Sequence, residues 1–184
     1  MLLSYSVVLV LLHASLASGA IIQVSNGGPW GNWGSMENCP EYTLARGFRL
    51  LVESPQGRED DTALNGIQLY CMSHLDDKVV ATITSTRGSW GRWTGAQFCP
   101  SGVIYRFSLK VEQPIVDGDD TAANNIMFQC SDYTMLRGYG EHWGTFGSWS
   151  NVCRRGICGI KTRVEGPQGN GDDTALNDVQ FRCC

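Results

Sequence analysis

Asp60–Cys71 reads DDTALNGIQLYC, Asp119–Cys130 reads DDTAANNIMFQC and Asp172–Cys183 reads DDTALNDVQFRC. The three stretches align without a gap, at offsets of 59 and 53 residues. Self-similarity of this kind is the signature of a structure assembled from like units, and it has to be read before any local pattern. Upstream, Phe48–Glu53 is FRLLVE, Phe107–Glu112 is FSLKVE and Ile160–Glu165 is IKTRVE, each followed within two residues by Pro55, Pro114 or Pro167. Further upstream stand WGNW at Trp30, WGRW at Trp90 and FGSW at Phe146, each a few residues before Cys39, Cys99 or Cys153. Three units, about 24–78, 79–136 and 137–184, therefore cover nearly all of the chain from Ile21 onward.

Inside each unit the apolar period is two. Phe48, Leu50 and Val52 alternate with Arg49, Leu51 and Glu53; Ile67, Leu69 and Cys71 alternate with Gln68 and Tyr70. The second unit repeats this with Phe107, Leu109 and Val111, and the third with Val179, Phe181 and Cys183. Such alternation belongs to strands with one buried face, and the Pro-Gln-Gly and Gly-Asp-Asp clusters mark the turns between them. No window carries a helical stripe, so the fold class is all-β. Three equivalent apolar faces are hidden together when all turn toward one axis, which gives a closed three-sided prism with pseudo-threefold symmetry. A linear stack would leave its end units exposed.

The chain has 184 residues, 17% of them charged, and a net charge of −4. Its first twenty residues hold no Asp, Glu, Lys or Arg, and an apolar run from Val7 to Leu12 is followed by the small residues Ala17, Ser18, Gly19 and Ala20. That is the layout of a secretory signal peptide over 1–20, with cleavage after Ala17, Gly19 or Ala20 and one domain over 21–184. The expected location is secreted and extracellular. No other stretch is long and apolar enough to span a membrane. Basic residues are scattered, with Arg154-Arg155 the densest pair, so a nucleic-acid partner is not expected. A monomer is expected.

All eight cysteines follow the leader, an even number for an oxidising compartment. The repeat pairs the cysteine after each Trp motif with the one ending each DDTA strand: Cys39–Cys71, Cys99–Cys130 and Cys153–Cys183. Cys158 and Cys184 then pair by elimination, although Cys153–Cys184 with Cys158–Cys183 fits the sequence equally. CxxC spacing is lacking, so no metal site and no cofactor are expected.

Carboxylates are the candidate chemical groups. Glu53, Glu112, Glu165 and the pairs Asp60-Asp61, Asp119-Asp120 and Asp172-Asp173 recur in every unit, which points to service in the fold, where Asp ahead of Thr-Ala accepts backbone N–H bonds and sets the turn; the functional alternative is carboxylates gathered at one end of the prism to bind a sugar or act as an acid–base pair. Asn65, Asn124 and Asn177 are given a matching task. Catalysis would fall to carboxylates outside the repeat, such as Glu37, Glu41, Asp117, Asp132, Glu141 and Asp178, provided a pair met in one cavity. Trp30, Trp33, Trp90, Trp93 and Trp149 occupy the WxxW positions, with Trp143 the odd one; such rings either stack on pyranose faces or fill the centre of the prism, and the centre is the expected place because large aromatics dominate cores. Histidine is scarce, with His74 and His142 at unrelated positions, and no hydrolase triad motif or P-loop is present.

GGPWGNW, the GDDTALN-type repeats, the AANN at Ala122 and the terminal Cys183-Cys184 pair resemble the vitelline membrane outer layer protein family, typified by a protein of the bird egg. The resemblance runs from about Ile21 to Cys184. It implies a β-prism of three Greek-key sheets with four disulfides, secretion, and a structural place in an egg coat or extracellular matrix. It further implies association with N-acetylglucosamine-containing glycans or other matrix proteins. The egg member is also linked to transferase-like activity on chito-oligosaccharides, so a weak glycosyltransferase or lysozyme-like enzyme is the alternative; no catalytic residue carries over by motif. The first unit departs from the third in having GREDD where the latter has GNGDD.

Overall fold

Alternation at period two becomes strands, fourteen of them, and no helix among the described residues. A computed structural model describes residues 19–54, 63–73, 75, 77–112, 123–166 and 175–184. Residues 1–18, the three prolines after the FRLLVE-type strands, His74, Asp117 and the three aspartate pairs lie outside the described residues.

Three long antiparallel hairpins form the walls: β4 (Thr43–Val52) with β5 (Leu64–Ser73), β9 (Ile104–Val111) with β10 (Ala123–Cys130), and β13 (Ile157–Val164) with β14 (Leu176–Cys183). A short strand flanks each second strand: β6 (Val79–Ile83), β11 (Met135–Arg137) and β1 (Ile21–Ile22). On the other side of each hairpin lie the Trp-motif strands: β7 (Arg92–Trp93) and β8 (Gln97–Phe98) on β4, β12 (Thr145–Phe146) on β9, and β2 (Asn32–Trp33) and β3 (Glu37–Asn38) on β13. The order β6-β5-β4-β7 is a Greek key, a meander whose next strand returns beside the first. The chain's N-terminal strands complete the third key around its C-terminal hairpin.

The sheets are therefore offset from the sequence repeat. Each takes its hairpin from one unit and its Trp strands from the next, so every unit reaches across a corner of the prism.

Inward residues meet at the axis in layers. One layer holds Phe48 opposite Leu69, Phe107 opposite Phe128 and Ile160 opposite Phe181, all essentially without solvent contact. The next holds Leu50/Ile67, Leu109/Ile126 and Thr162/Val179, and Thr162 pays for its buried hydroxyl by donating to the Thr86 carbonyl. Phe128 lies 4.7 Å from Phe48 and 5.4 Å from Phe181, edge-on, so rings from all three sheets interlock.

The tryptophans do not fill this centre. Trp30 and Trp90 are at least half exposed, at 56% and 50%, and the other four are half-buried. Phenylalanine takes the axis because it stands at inward positions of the long strands. The Trp strands are two residues long and sit at the sheet edges, where Arg49 lies 4.7 Å above Trp93 and Arg163 5.1 Å above Trp33.

The third Trp motif also shifts. The equivalent of WGNW and WGRW is Trp143–Phe146, WGTF, because Thr145 pairs with Val111 as Asn32 does with Val164 and Arg92 with Val52. Gly31, Gly91 and Gly144 share a left-handed backbone, φ +77, +90 and +71, and a Cβ on any of them would come within 2.4 Å of the facing valine's backbone. Trp143 is thus a repeated residue and Trp149 the odd one.

Each hairpin carries a bulge near either end. At one end the extra residues are Asn65, Asn124 and Asn177, fully buried. Their backbone carbonyls accept from Gly88, Glu141 and Gly28 at 2.8–2.9 Å, which docks the loop leading into the neighbouring Trp motif. At the opposite end the carbonyls of Arg46, Tyr105 and Cys158 accept from Cys99, Cys153 and Cys39, each at 2.8 Å.

Candidate functional site

The fold divides the molecule into an asparagine end and a cysteine end, about 20 Å apart along strands that rise roughly 3.3 Å per residue. Of the six candidate carboxylates, Asp117 lies outside the described residues and the other five are spread along the prism. Glu141 and Asp178 lie at the asparagine end, Glu41 and Asp132 at the cysteine end, and Glu37 between them, exposed on the strand that faces Ile160. Glycosidic acid–base pairs need carboxyls within about 5–9.5 Å of each other, which no pair drawn from opposite ends can meet.

Two of these acids have structural tasks. Asp132 accepts from the backbone N–H of Thr134 at 2.9 Å and of Ser101 at 3.1 Å, fastening the turn after β10 to the segment before β9. Those backbone donors, Thr134 first, hold its carboxyl below the ordinary range. Asp178 accepts from Val179 N–H at 2.8 Å and lies under Gly27, where an added Cβ would come within 2.2 Å of its carboxyl carbon. Burial pushes its carboxyl up to about 6, against the opposing pull of Val179 N–H and the Arg163 charge.

In the second unit the same position is Asn125, whose Oδ1 accepts from Ile126 N–H while its Nδ2 donates to the Gly138 carbonyl. An ionised Asp178 cannot donate. Its folded value lies above the unfolded one, so the native state binds this proton more tightly, and stability is lost as pH rises from about 4 through 6. Asp178→Asn is therefore expected to stabilise the protein by up to about 3 kcal/mol near pH 7.5 and by almost nothing near pH 3.5. Urea unfolding of both proteins at the two pH values measures this; an equal gain at both would show that the carboxyl is not held protonated by the fold.

Glu41 lines a cleft at the cysteine end, an opening of about 880 Å3. The turn between β3 and β4 forms one side, with Asn38, Glu41 and Tyr42; Gly19, Arg155, Arg182 and the Cys158–Cys184 disulfide also line it. Arg182 Nη1 donates to Asn38 Oδ1 at 2.9 Å. A smaller recess of about 150 Å3 at the asparagine end takes in Arg87, Trp90 and Glu165.

The cleft is built where the repeat breaks. After the three equivalent cysteines the chain reads CPEYT from Cys39, CPSGV from Cys99 and CRRGI from Cys153. The fourth place has a left-handed backbone in every unit: Tyr42 at φ +63, Gly102 at +75 and Gly156 at +122. Two units meet that requirement with glycine and the first with tyrosine, whose side chain is 89% exposed. Sequence reasoning passed over Tyr42, yet setting the three post-cysteine segments side by side would have singled it out.

Four disulfides join Cys39–Cys71, Cys99–Cys130, Cys153–Cys183 and Cys158–Cys184. The first three each run from one sheet to the next, and the fourth ties β13 to the residue after β14. Covalent closure of this kind belongs to an oxidising, extracellular setting.

Comparison with known proteins agrees with this architecture. A family model for vitelline membrane outer layer protein I matches residues 20–184. The chain is 50% identical over 167 residues to the vitelline membrane outer layer protein 1 homolog of Homo sapiens, covering 90% of this chain and 83% of that one. It is 44% identical over 175 residues to the Mus musculus homolog, covering 94% and 87%. Among solved structures, a mannose-specific jacalin-related lectin from Morus nigra in complex with mannose superposes with a TM-score of 0.55 at 15% identity, covering 91% and 96%. An artocarpin–mannopentose complex gives 0.53 at 12%, covering 90% and 97%. Identities this low speak to the fold, an all-β prism of three curled sheets. With three sheets, four bridges and a match over nearly the whole described chain, the protein belongs to the vitelline membrane outer layer protein I family.

Proposed function

We propose that the protein is a secreted structural component of an egg-coat-type or related extracellular layer, one that associates with N-acetylglucosamine-containing glycans and does not turn them over. The observation that carries this reading is the division of labour among residues. Among the described residues, those repeated three times fill the core, dock the loops and close the disulfides, while Glu41 and Asp132 lie at the opposite end from Glu141 and Asp178, and Asp132 is engaged in a turn. The homologues named for an outer egg layer, and the prism shared with proteins solved with mannose or mannopentose, support the same reading.

Secretion would release the chain by cleavage near Ala20. The Ala20 carbonyl accepts from Cys183 N–H at 2.7 Å, so cleavage after Ala17 or Gly19 retains a bond that cleavage after Ala20 removes. The test of function is incubation of the oxidised protein with N-acetylglucosamine hexamer, with product lengths followed by mass spectrometry and binding by calorimetry. Binding with unchanged length is expected. New longer and shorter oligomers would make the protein a transferase and overturn the reading.

A further inference from the structure

We propose that the cleft at the cysteine end is an oligosaccharide site, with Tyr42 as its stacking platform and an uncharged pyranose as the ring it receives. This rests on the reading of the protein as glycan-associated and adds the place and chemistry of the contact.

Tyr42 carries the argument. A side chain in the left-handed region is strained by contact of its Cβ with the backbone, and glycine removes that strain, as it does at Gly102 and Gly156. Strain of this kind persists where the surroundings enforce it and clusters at binding sites. Packing does not compensate it here, because the side chain is 89% exposed. What the first unit gains over the other two is an aromatic ring at a cleft.

The polar groups fit a sugar. A pyranose presents hydroxyls that both donate and accept, above a ring face that stacks on an aromatic. The cleft offers donors in Arg155 and Arg182, an acceptor in Glu41 and an amide in Asn38, the mixed set that hydroxyls can pair with. Its volume of about 880 Å3 falls in the range of ligand sites, roughly 300–1,000 Å3. Tyr42, Glu41 and Arg155 all stand at positions where the three units differ, as expected of residues outside the service of the fold.

Tyr42→Gly separates binding from folding, since it removes the ring while easing the backbone. Calorimetric titration with N-acetylglucosamine hexamer is expected to show binding by the wild type and by Tyr42→Phe within about twofold, and binding about tenfold weaker or lost for Tyr42→Gly. The melting temperature of Tyr42→Gly should rise by about 1–3 °C. Wild-type affinity should be nearly the same at low and high salt, as for an uncharged ligand. Hexamer binding retained in Tyr42→Gly would overturn the site and leave glycan association standing; no binding by the wild type would overturn both. A lower melting temperature for Tyr42→Gly would overturn the strain argument. Binding confined to sialylated or sulfated oligosaccharides and lost in salt would overturn the uncharged ligand.

Discussion

Replacing Phe128 by alanine is expected to remove about 3–5 kcal/mol from the unfolding free energy, a large part of what a chain of this size possesses. Phe128 is fully buried and touches Phe48, Phe107 and Phe181, whose ring centroids lie 4.7, 6.4 and 5.4 Å away. These rings come from all three walls, so the cavity left by truncation has no single side that can collapse into it. The loss then combines the transfer energy of the ring with the cost of the void. Trp30→Ala removes a larger side chain, yet Trp30 is 56% exposed, and its cost is expected to stay below about 1 kcal/mol. Chemical denaturation of the two variants side by side measures the contrast. A Trp30 variant as unstable as the Phe128 variant would mean that tryptophan, and not the phenylalanine layer, holds the prism together.

That contrast shows how far the sequence could be read. Period-two alternation marks Phe48, Leu50, Ile67 and Leu69 as inward, and all are buried, because strand geometry turns every second residue to one face. Closure about an axis follows from three equal apolar faces. The place of the tryptophans does not follow. WGNW and WGRW alternate with nothing; their orientation depends on a left-handed glycine that turns a two-residue strand onto a neighbouring valine, a tertiary contact without a local signature. FGSW at Phe146 matches the same spacing as WGTF at Trp143, and only the register against Val111 chooses between them.

Nor does a repeat reveal which hairpin receives which Trp strand. Its own unit and the preceding one present the same pattern, so the offset between repeat and sheet is settled by chain geometry at the corners. The site was legible only in part. Glu41 is legible as an acid outside the repeat, whereas Tyr42 beside it shows itself only when CPEYT is set against CPSGV and CRRGI, where glycine holds its place.

The offset also decides what the disulfides do, and it leads to the second large effect. Cys39 is held to sheet β13 by its N–H bond to the Cys158 carbonyl, yet its sulfur bonds to Cys71 on β5. Cys99 likewise docks on β4 and bonds to β10, and Cys153 docks on β9 and bonds to β14. The three bridges thus form a closed ring around the cysteine end, wall to wall to wall. Sequence separations of 30–32 residues give each about 3–4 kcal/mol in the chain-entropy account. Cys158–Cys184 spans 26 residues and scores nearly the same, but it stays within one sheet and Cys184 is exposed. The paired replacement Cys99→Ala with Cys130→Ala should therefore lose more than that entropic share, about 4–5 kcal/mol, since Cys130 is fully buried and its loss opens a gap between two walls. Cys158→Ala with Cys184→Ala should lose no more than about 3–4 kcal/mol. Guanidinium unfolding of the two double variants under non-reducing conditions gives the comparison directly. Equal losses would mean that the bridges act only by restricting the unfolded chain, and that the ring adds nothing to the native prism.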